Sequence, residues 1–400
     1  MKTFVRFALL AAVLVAALAA CAPAPTPAPT AAPPTAAPKP TEAPKPTIAP
    51  TVAPAQPTAA PKPTDAPKPT DAPKPTVAPT AAPVTLTKFP FRLNWTLYGE
   101  HTGFFVAREK GFYQEEGLDV DIQEGSGSGT VAGLVANNQS PVAYVDAATM
   151  IQRVVAGMPI KAVAVTLQQS PMAFIYRADA AKPTKVSEIK GSRIAITQGD
   201  ASLAIFTAFL GKEGMKLEDV QLIMTADAQA KEQAVINKQA DALLGYFMDQ
   251  GPRMQLQTGV KMGWTRLFDL NGTTTLSSAI IVNSDWLKDA KNQDLLKRFL
   301  RATQRGWQYT ADNRDEAATI FVKYAPTFTK EIALLEINGT MTIIRSPRTQ
   351  GKALGFSSAD DWKDSQDLLV KFAGMKDPKP DVNVFFDNSF LSEAPYLPKK

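Results

Sequence analysis

About 60 residues of this chain, from Ala22 to Pro83, are almost wholly alanine, proline and threonine, and they dictate where a fold can form. The unit Ala-Pro-Lys-Pro-Thr recurs at 37–41, 43–47, 60–64, 66–70 and 72–76. With almost no large apolar side chains, this stretch cannot bury enough surface to offset the entropy of ordering. Proline holds such a run toward extended polyproline II at about 3.1 Å per residue, a reach on the order of 190 Å. The segment 21–86 reads as a spacer, with a stalk glycosylated on its threonines as the alternative. A fold must come from the remainder, Thr87–Lys400, which is long enough for two lobes rather than one core.

Ahead of the spacer stands the only cysteine of the chain, Cys21, directly after Leu18-Ala19-Ala20. Lys2 and Arg6 precede the apolar run Phe7–Ala17, which is shorter than the roughly 20 residues a spanning helix needs. A charged start, a short apolar stretch and small residues predict a cleaved secretory signal over 1–20. The junction resembles a bacterial lipobox, which implies that Cys21 is acylated and anchors the protein to the outer face of the cell membrane. An ordinary secreted protein with a chance cysteine is the alternative.

If Cys21 carries lipid, the fold has no thiol for disulfides, metal or catalysis. The one histidine is His101, so a Cys/His zinc site is excluded, and a Ser-His-Asp arrangement would rest on that residue alone. No cofactor or metal is expected. The net charge of +5 is also local: residues 1–86 hold seven basic and three acidic groups, leaving 36 basic and 35 acidic in the rest. So balanced a remainder gives no electrostatic reason to expect nucleic acid as a partner.

Strand-like and helix-like segments alternate through this remainder. Phe91–Trp95, Leu118–Ile122, Pro141–Val145, Lys161–Val165 and Met172–Tyr176 read as strands, with helices at Gly103–Lys110, Val131–Val135 and from Asp146 to Gly157. A similar unit follows: strands Arg193–Ile196, Val220–Ile223 and Ala242–Tyr246, with helices Leu203–Leu210 and Ala228–Lys238. A strand at Ser277–Val282 leads back, and helices Leu295–Tyr309 and Arg314–Tyr324 belong to a largely helical C-terminal stretch. The alternation predicts α/β lobes with mainly parallel sheets, the second inserted into the first and joined by two crossing strands. Lobe I comprises 87–178 and 275–400, and lobe II 179–274. A ligand in such sheets sits at the carboxyl ends of the strands, here in the cleft between lobes.

One pattern is more specific. Leu93-Asn94-Trp95, His101-Thr102-Gly103, Lys110-Gly111-Phe112-Tyr113 and Glu116-Gly117-Leu118-Asp119-Val120 resemble the NMT1/THI5-like solute-binding proteins of ABC importers. Lys190–Ala195 and Phe385–Leu391 extend the likeness to 88–395. The resemblance implies a two-lobed periplasmic-binding-protein-like fold of type II, a permease in the same membrane as partner, and a monomer. Asn94-Trp95 with His101-Thr102-Gly103 is most similar to the vitamin-precursor branch, which takes flat heteroaromatic ligands, and a long Ala-Pro-Thr stalk looks most like its riboflavin-binding lipoproteins. Riboflavin is therefore the first expectation, with a thiamine pyrimidine precursor, an alkanesulfonate or nitrate as alternatives. Fungal relatives that make the thiamine pyrimidine use a cysteine-rich motif and consume a histidine. With no cysteine after Cys21, the resemblance stops short of that activity. A surface adhesin suits the stalk but not the lobes.

The candidate ligand-binding residues are Asn94, Trp95, Tyr98, His101, Ser126, Tyr144, Asp146, Asp200, Tyr246 and Asp249. Trp95 and Tyr98 follow the first strand, where a flat ligand would stack, or else Trp95 is core beneath the cleft. His101 either donates to a ligand carbonyl or caps the next helix. The loop Gly125–Thr130, with Ser126, is either an anion cradle of backbone N–H groups or a tight turn. Asp146 and Asp200 stand at predicted helix starts and are either N-caps or cleft carboxylates that favour a donor-rich ligand over an anion. Tyr246 with Asp249 would close from the second lobe. Phe174, Tyr176, Trp264, Trp286, Trp307 and Trp362 read as packing.

Overall fold

The computed structural model describes residues 85–199 and 201–392. The chain separates into two units, Met1–Thr76 and Val77–Lys400, and the described residues all fall in the second. Cys21, the signal at 1–20, nearly all of the spacer, and Asp200 lie outside the described residues.

Ten strands form two five-stranded sheets. The first contains β1 (Thr87–Arg92), β2 (Leu118–Gln123), β3 (Val142–Asp146), β4 (Ile160–Val165) and β10 (Ser278–Asn283), in the order β2-β1-β3-β10-β4. The second contains β5 (Met172–Arg177), β6 (Arg193–Thr197), β7 (Gln221–Thr225), β8 (Ala242–Tyr246) and β9 (Met262–Arg266), in the order β7-β6-β8-β5-β9. Strand pairing in the first sheet is parallel except at β10, which runs antiparallel to β3 and β4. In the second it is parallel except at β5, antiparallel to β8 and β9. Every residue of β3 and β10 is buried, as expected for strands covered on both faces.

The reversed strand in each sheet is the one that arrives from the other lobe. The chain leaves the first sheet after Val165, enters the second at Met172, and returns at Ser278 after Arg266. The two crossings run side by side: Ser277 N–H donates to Leu167 O at 3.0 Å, and Leu167 N–H to Ser278 O at 3.2 Å. The sequence pattern places 87–178 in lobe I, but β5 at 172–177 belongs to the second sheet, so the crossover precedes β5. The reason is local: Met172–Tyr176 is strand-like in either lobe, and only the pairing with β8 and β9 assigns it.

The C-terminal helices fix both lobes. Ala290–Asp312 and Arg314–Tyr324 pack on Thr102–Glu109, where a Cβ on Gly306 would lie 2.2 Å from Gly103 O. The helix Ala359–Phe372 instead straddles the division. Trp362 and Leu369 pack with Val145 and Ile151, while its Leu368 meets the cluster containing Phe206 and Phe209 of the second lobe. The first strand also ends earlier than its sequence predicts. Leu93, Asn94 and Trp95 have strand-like side chains, but they form a loop whose carbonyls are taken by a second loop. Gly127 N–H donates to Asn94 O at 2.8 Å, and Gly125 N–H to Trp95 O at 3.1 Å. A Cβ on Gly125 would stand 2.0 Å from Leu93 O, so only glycine permits this approach. Phe174, Tyr176, Trp307 and Trp362 are buried as predicted, whereas Trp264, on the edge strand β9, is 41% exposed.

Candidate functional site

Strand ends from both sheets converge on a cleft between the lobes, about 420 Å³ with its open mouth included. The first lobe supplies Asn94, Trp95, Tyr98, Glu100 and Ser128. The second supplies Met172, Ala201, Ser202, Lys231 and Leu244, and then Tyr246, Asp249 and Gln250 beyond the end of β8. Aromatic and aliphatic surface mixed with a few fixed polar groups is the usual wall of a small-molecule site.

Five of the ten candidates stand on this wall: Asn94, Trp95, Tyr98, Tyr246 and Asp249. Asn94 is held from behind. Tyr98 N–H donates to His101 Nδ1 at 3.2 Å, so that nitrogen is the acceptor and Nε2 carries the proton. Nε2 then donates to Asn94 Oδ1 at 2.8 Å, leaving the Asn94 amide to donate to Glu100 Oε1 at 3.3 Å. His101 is wholly buried and absent from the wall, and its side chain does not cap the helix Thr102–Glu109. Burial lowers its pKa to about 3, keeping it neutral. Its role is to orient Asn94.

Tyr98 presents part of its ring to the cavity, but its hydroxyl is engaged across the lobes. It accepts from Arg253 Nη2 at 2.7 Å and donates to Glu232 Oε1 at 3.2 Å. Tyr246 N–H donates to Gln250 Oε1 at 3.1 Å, which turns the residues after β8 into the site. Trp95 is half-buried, and the Lys231 ammonium lies 5.3 Å from its ring centroid. Lys231 also donates to Leu244 O at 3.1 Å.

The other candidates sit elsewhere. Tyr144 is fully buried, bonded to Thr166 Oγ1 at 2.6 Å and set edge-on to His101 and Phe104. Its place in β3, covered on both faces, makes it core. Asp146 caps the helix Ala147–Val155: Oδ1 accepts from Thr149 N–H at 3.0 Å, and Oδ2 from Ser277 Oγ at 3.4 Å. Its carboxyl is thereby satisfied away from the cavity wall. Ser126 is exposed, because the loop turns at Gly127 (φ 122°) and delivers Ser128 to the wall instead. Asp200 lies outside the described residues.

Sequence reasoning missed Glu100, Ser128, Met172, Ser202, Lys231 and Gln250 on the wall. Glu100 and Gln250 each adjoin a named candidate, so a neighbour search would have found them. Lys231 carried no signal, since a mid-helix lysine reads as a solvated charge.

The electrostatic balance at the lobe interface is acidic. Desolvation raises the pKa of Glu100 to about 8, against hydrogen bonds from Asn94 and Ser278 that oppose the shift. Burial, then Glu336 and Glu100, push Asp249 up, and burial does the same to Glu336. Asp249 Oδ1 and Glu336 Oε1 are buried with no hydrogen-bond partner among the described residues. Asp249 faces the cavity, whereas Glu336 accepts from Gly99 N–H at 2.6 Å behind it. Carboxyl groups raised in this way are held in their neutral form, where each can both donate and accept a hydrogen bond.

Two α/β lobes on paired crossings, with a cavity at their strand ends, are the architecture of the periplasmic binding proteins. The same fold is seen in the periplasmic aliphatic sulphonate binding protein SsuA from Escherichia coli, at a TM-score of 0.56 and 15% identity over 74% of this chain and 91% of that one. Residues 99–317 match the family described as NMT1/THI5 like, and the chain belongs to that family. Among its relatives, the riboflavin-binding protein RibY of Chloroflexus aurantiacus is 25% identical over 79% of this chain and 91% of its own length. A 4-amino-5-hydroxymethyl-2-methylpyrimidine phosphate synthase of Saccharomyces cerevisiae is 21% identical over 62% of this chain and 74% of its own.

Proposed function

We propose that this protein is the solute-capturing component of an ABC importer and that its lobes close over a flat, donor-bearing heteroaromatic vitamin, riboflavin first. The observation that carries the reading is the cavity wall itself. Trp95 and Tyr246 offer rings, Asn94, Ser128 and Gln250 offer neutral polar groups, and Glu100 and Asp249 offer carboxyl groups. Ring stacking contributes about 1–3 kcal/mol per base-sized ring, and the polar groups fix orientation. The relative named for riboflavin supports the ligand choice. In this reading Cys21 is acylated, 21–86 is a spacer, and the domain works as a monomer that hands its ligand to a permease in the same membrane.

A binding role suits the residues better than the chemistry of the yeast synthases. The chain has no thiol after Cys21, and its one histidine stands behind Asn94 rather than on the wall. The second ligand reading is a thiamine pyrimidine precursor, favoured by Asp249, whose free oxygen suits an aminopyrimidine donor.

Titration of the full chain into riboflavin tests the first choice. The expected outcome is saturable quenching of flavin fluorescence at one ligand per chain. Absence of quenching with tight binding of an aminopyrimidine would move the assignment to the second ligand, and binding of neither would remove the vitamin reading.

A further inference from the structure

Beside the cavity, the lobes meet at a second cluster, which shares Tyr98 with the ligand wall and adjoins Asp249 of that wall, whose O accepts from Arg253 N–H at 3.3 Å. Arg253 reaches it from the helix Gln250–Thr258 of the second lobe. Its Nη2 donates to the Tyr98 hydroxyl at 2.7 Å, and its guanidinium carbon lies 4.5 Å from the Tyr98 ring centroid and 5.6 Å from that of Phe328. Tyr98 and Phe328, set edge-on at 6.2 Å, form a corner on the first lobe into which this cation fits. Glu232, on the same lobe as Arg253, ion-pairs with it and aims it. Both side chains are largely buried, at 14% and 9% exposure, so the contact is desolvated when the lobes are together.

We propose that Arg253 is a positioning residue for closure: seated against Tyr98 and Phe328, it sets how long the cleft stays shut without lining the cavity. The physical argument is one of differential contact. The Arg253–Glu232 pair lies within one lobe and survives opening, where water solvates it. The contacts of Arg253 to Tyr98 and Phe328 exist only when the lobes meet. A guanidinium is suited to this because it stacks on a ring and donates from its edge at once, which an ammonium cannot do in the same way. Removing the charge leaves Glu232 buried without its cation in the closed form and hydrated in the open one. The loss therefore falls on closure and on release, and leaves the encounter of ligand with the open cleft alone.

This proposal rests on the solute-binding reading above, and its test is built to separate the two. The full chain, Arg253→Met and Arg253→Lys are compared by stopped-flow riboflavin release and by hydrogen exchange without ligand. Exchange is read at Gly129, whose N–H donates across the cleft to Gly199 O at 3.2 Å. Arg253→Met keeps the apolar stem, and Arg253→Lys also keeps the charge, so the second remains informative if the first folds poorly. The expected result is riboflavin release about tenfold faster in Arg253→Met with association within about twofold, Arg253→Lys falling between, and faster exchange at Gly129 in both. Unchanged release and unchanged exchange would overturn the proposal while leaving the binding reading intact. If the wild type fails to bind riboflavin, the exchange decides: faster exchange at Gly129 sustains the closure role, and equal exchange overturns it.

Discussion

His101 shows how a residue that attracts attention in a sequence can act one layer behind the site. A lone histidine beside Asn94 and Trp95 invites a ligand role, yet its ring accepts from Tyr98 N–H and donates to Asn94, and the chain of donors ends on Glu100. Glu100 and His101 then have opposite consequences for stability. The Glu100 carboxyl has a folded-state pKa of about 8 against an ordinary 4.5, so between those values the folded protein holds a proton the unfolded chain has lost. Stability from this group is full below the lower value and falls as pH rises through the window. His101, depressed to about 3 from 6.5, opposes that trend only below pH 6.5, where the unfolded chain takes up the proton. From pH 6.5 to 8 the Glu100 effect therefore stands without its opponent, at up to about 1.4 kcal/mol per pH unit. From Glu100 alone the melting temperature should fall by about 4 °C over that interval, with Asp249 and Glu336, also raised by burial, acting in the same direction. Glu100→Gln, which keeps the shape and the amide acceptor, should flatten the fall. Thermal melts of both proteins across the interval check this, and an equally steep slope in the variant would contradict it. Glu100 was not legible as a site residue because a glutamate before a helix reads as first-turn charge, and its burial comes from residues distant in sequence, such as Ser278.

Among the elements, most strands were legible, since Leu118–Gln123 alternates apolar and polar residues and Ala242–Tyr246 is an apolar run. What failed did so for tertiary reasons. Met262–Arg266 holds too little apolar sequence to announce a strand and exists because β5 offers it an edge. The helix Gln250–Thr258 was hidden by Gly251-Pro252, which reads as a turn, although proline in a first helical turn loses no intrahelical bond. The end of β1 was placed three residues late because Leu93–Trp95 resembles a strand and forms half of a loop pair. That pair admits a direct test. In Gly125→Ala the new Cβ would meet backbone, Leu93 O at 2.0 Å and Asn94 C at 2.8 Å, so the loop must shift. We expect a loss of about 2 kcal/mol or more by denaturant unfolding, with weakened ligand binding because Asn94 and Trp95 move with the loop. A variant as stable as the wild type would show that the two loops do not approach in this way.

At the scale of the molecule, a nearly neutral folded part conceals an uneven interior. The 36 basic and 35 acidic residues after position 86 balance overall. At the lobe interface, Glu100, Glu232, Asp249 and Glu336 are buried against Arg253 and Lys231. Net charge could not reveal this, because the carboxyl groups come from four separate segments, two on each lobe, and form one cluster when the lobes meet. With two carboxyl groups and a single ammonium, Lys231, on its wall, the cleft offers an anion no cluster of cations, and that is the central claim about its ligand. The most direct test is competition: the full chain is dialysed against an equimolar mixture of riboflavin, an aminopyrimidine vitamin precursor, an alkanesulfonate and nitrate, and the retained compound is identified by mass spectrometry. The prediction is one heteroaromatic compound per chain and neither anion. Retention of the sulfonate or of nitrate in its place would contradict it.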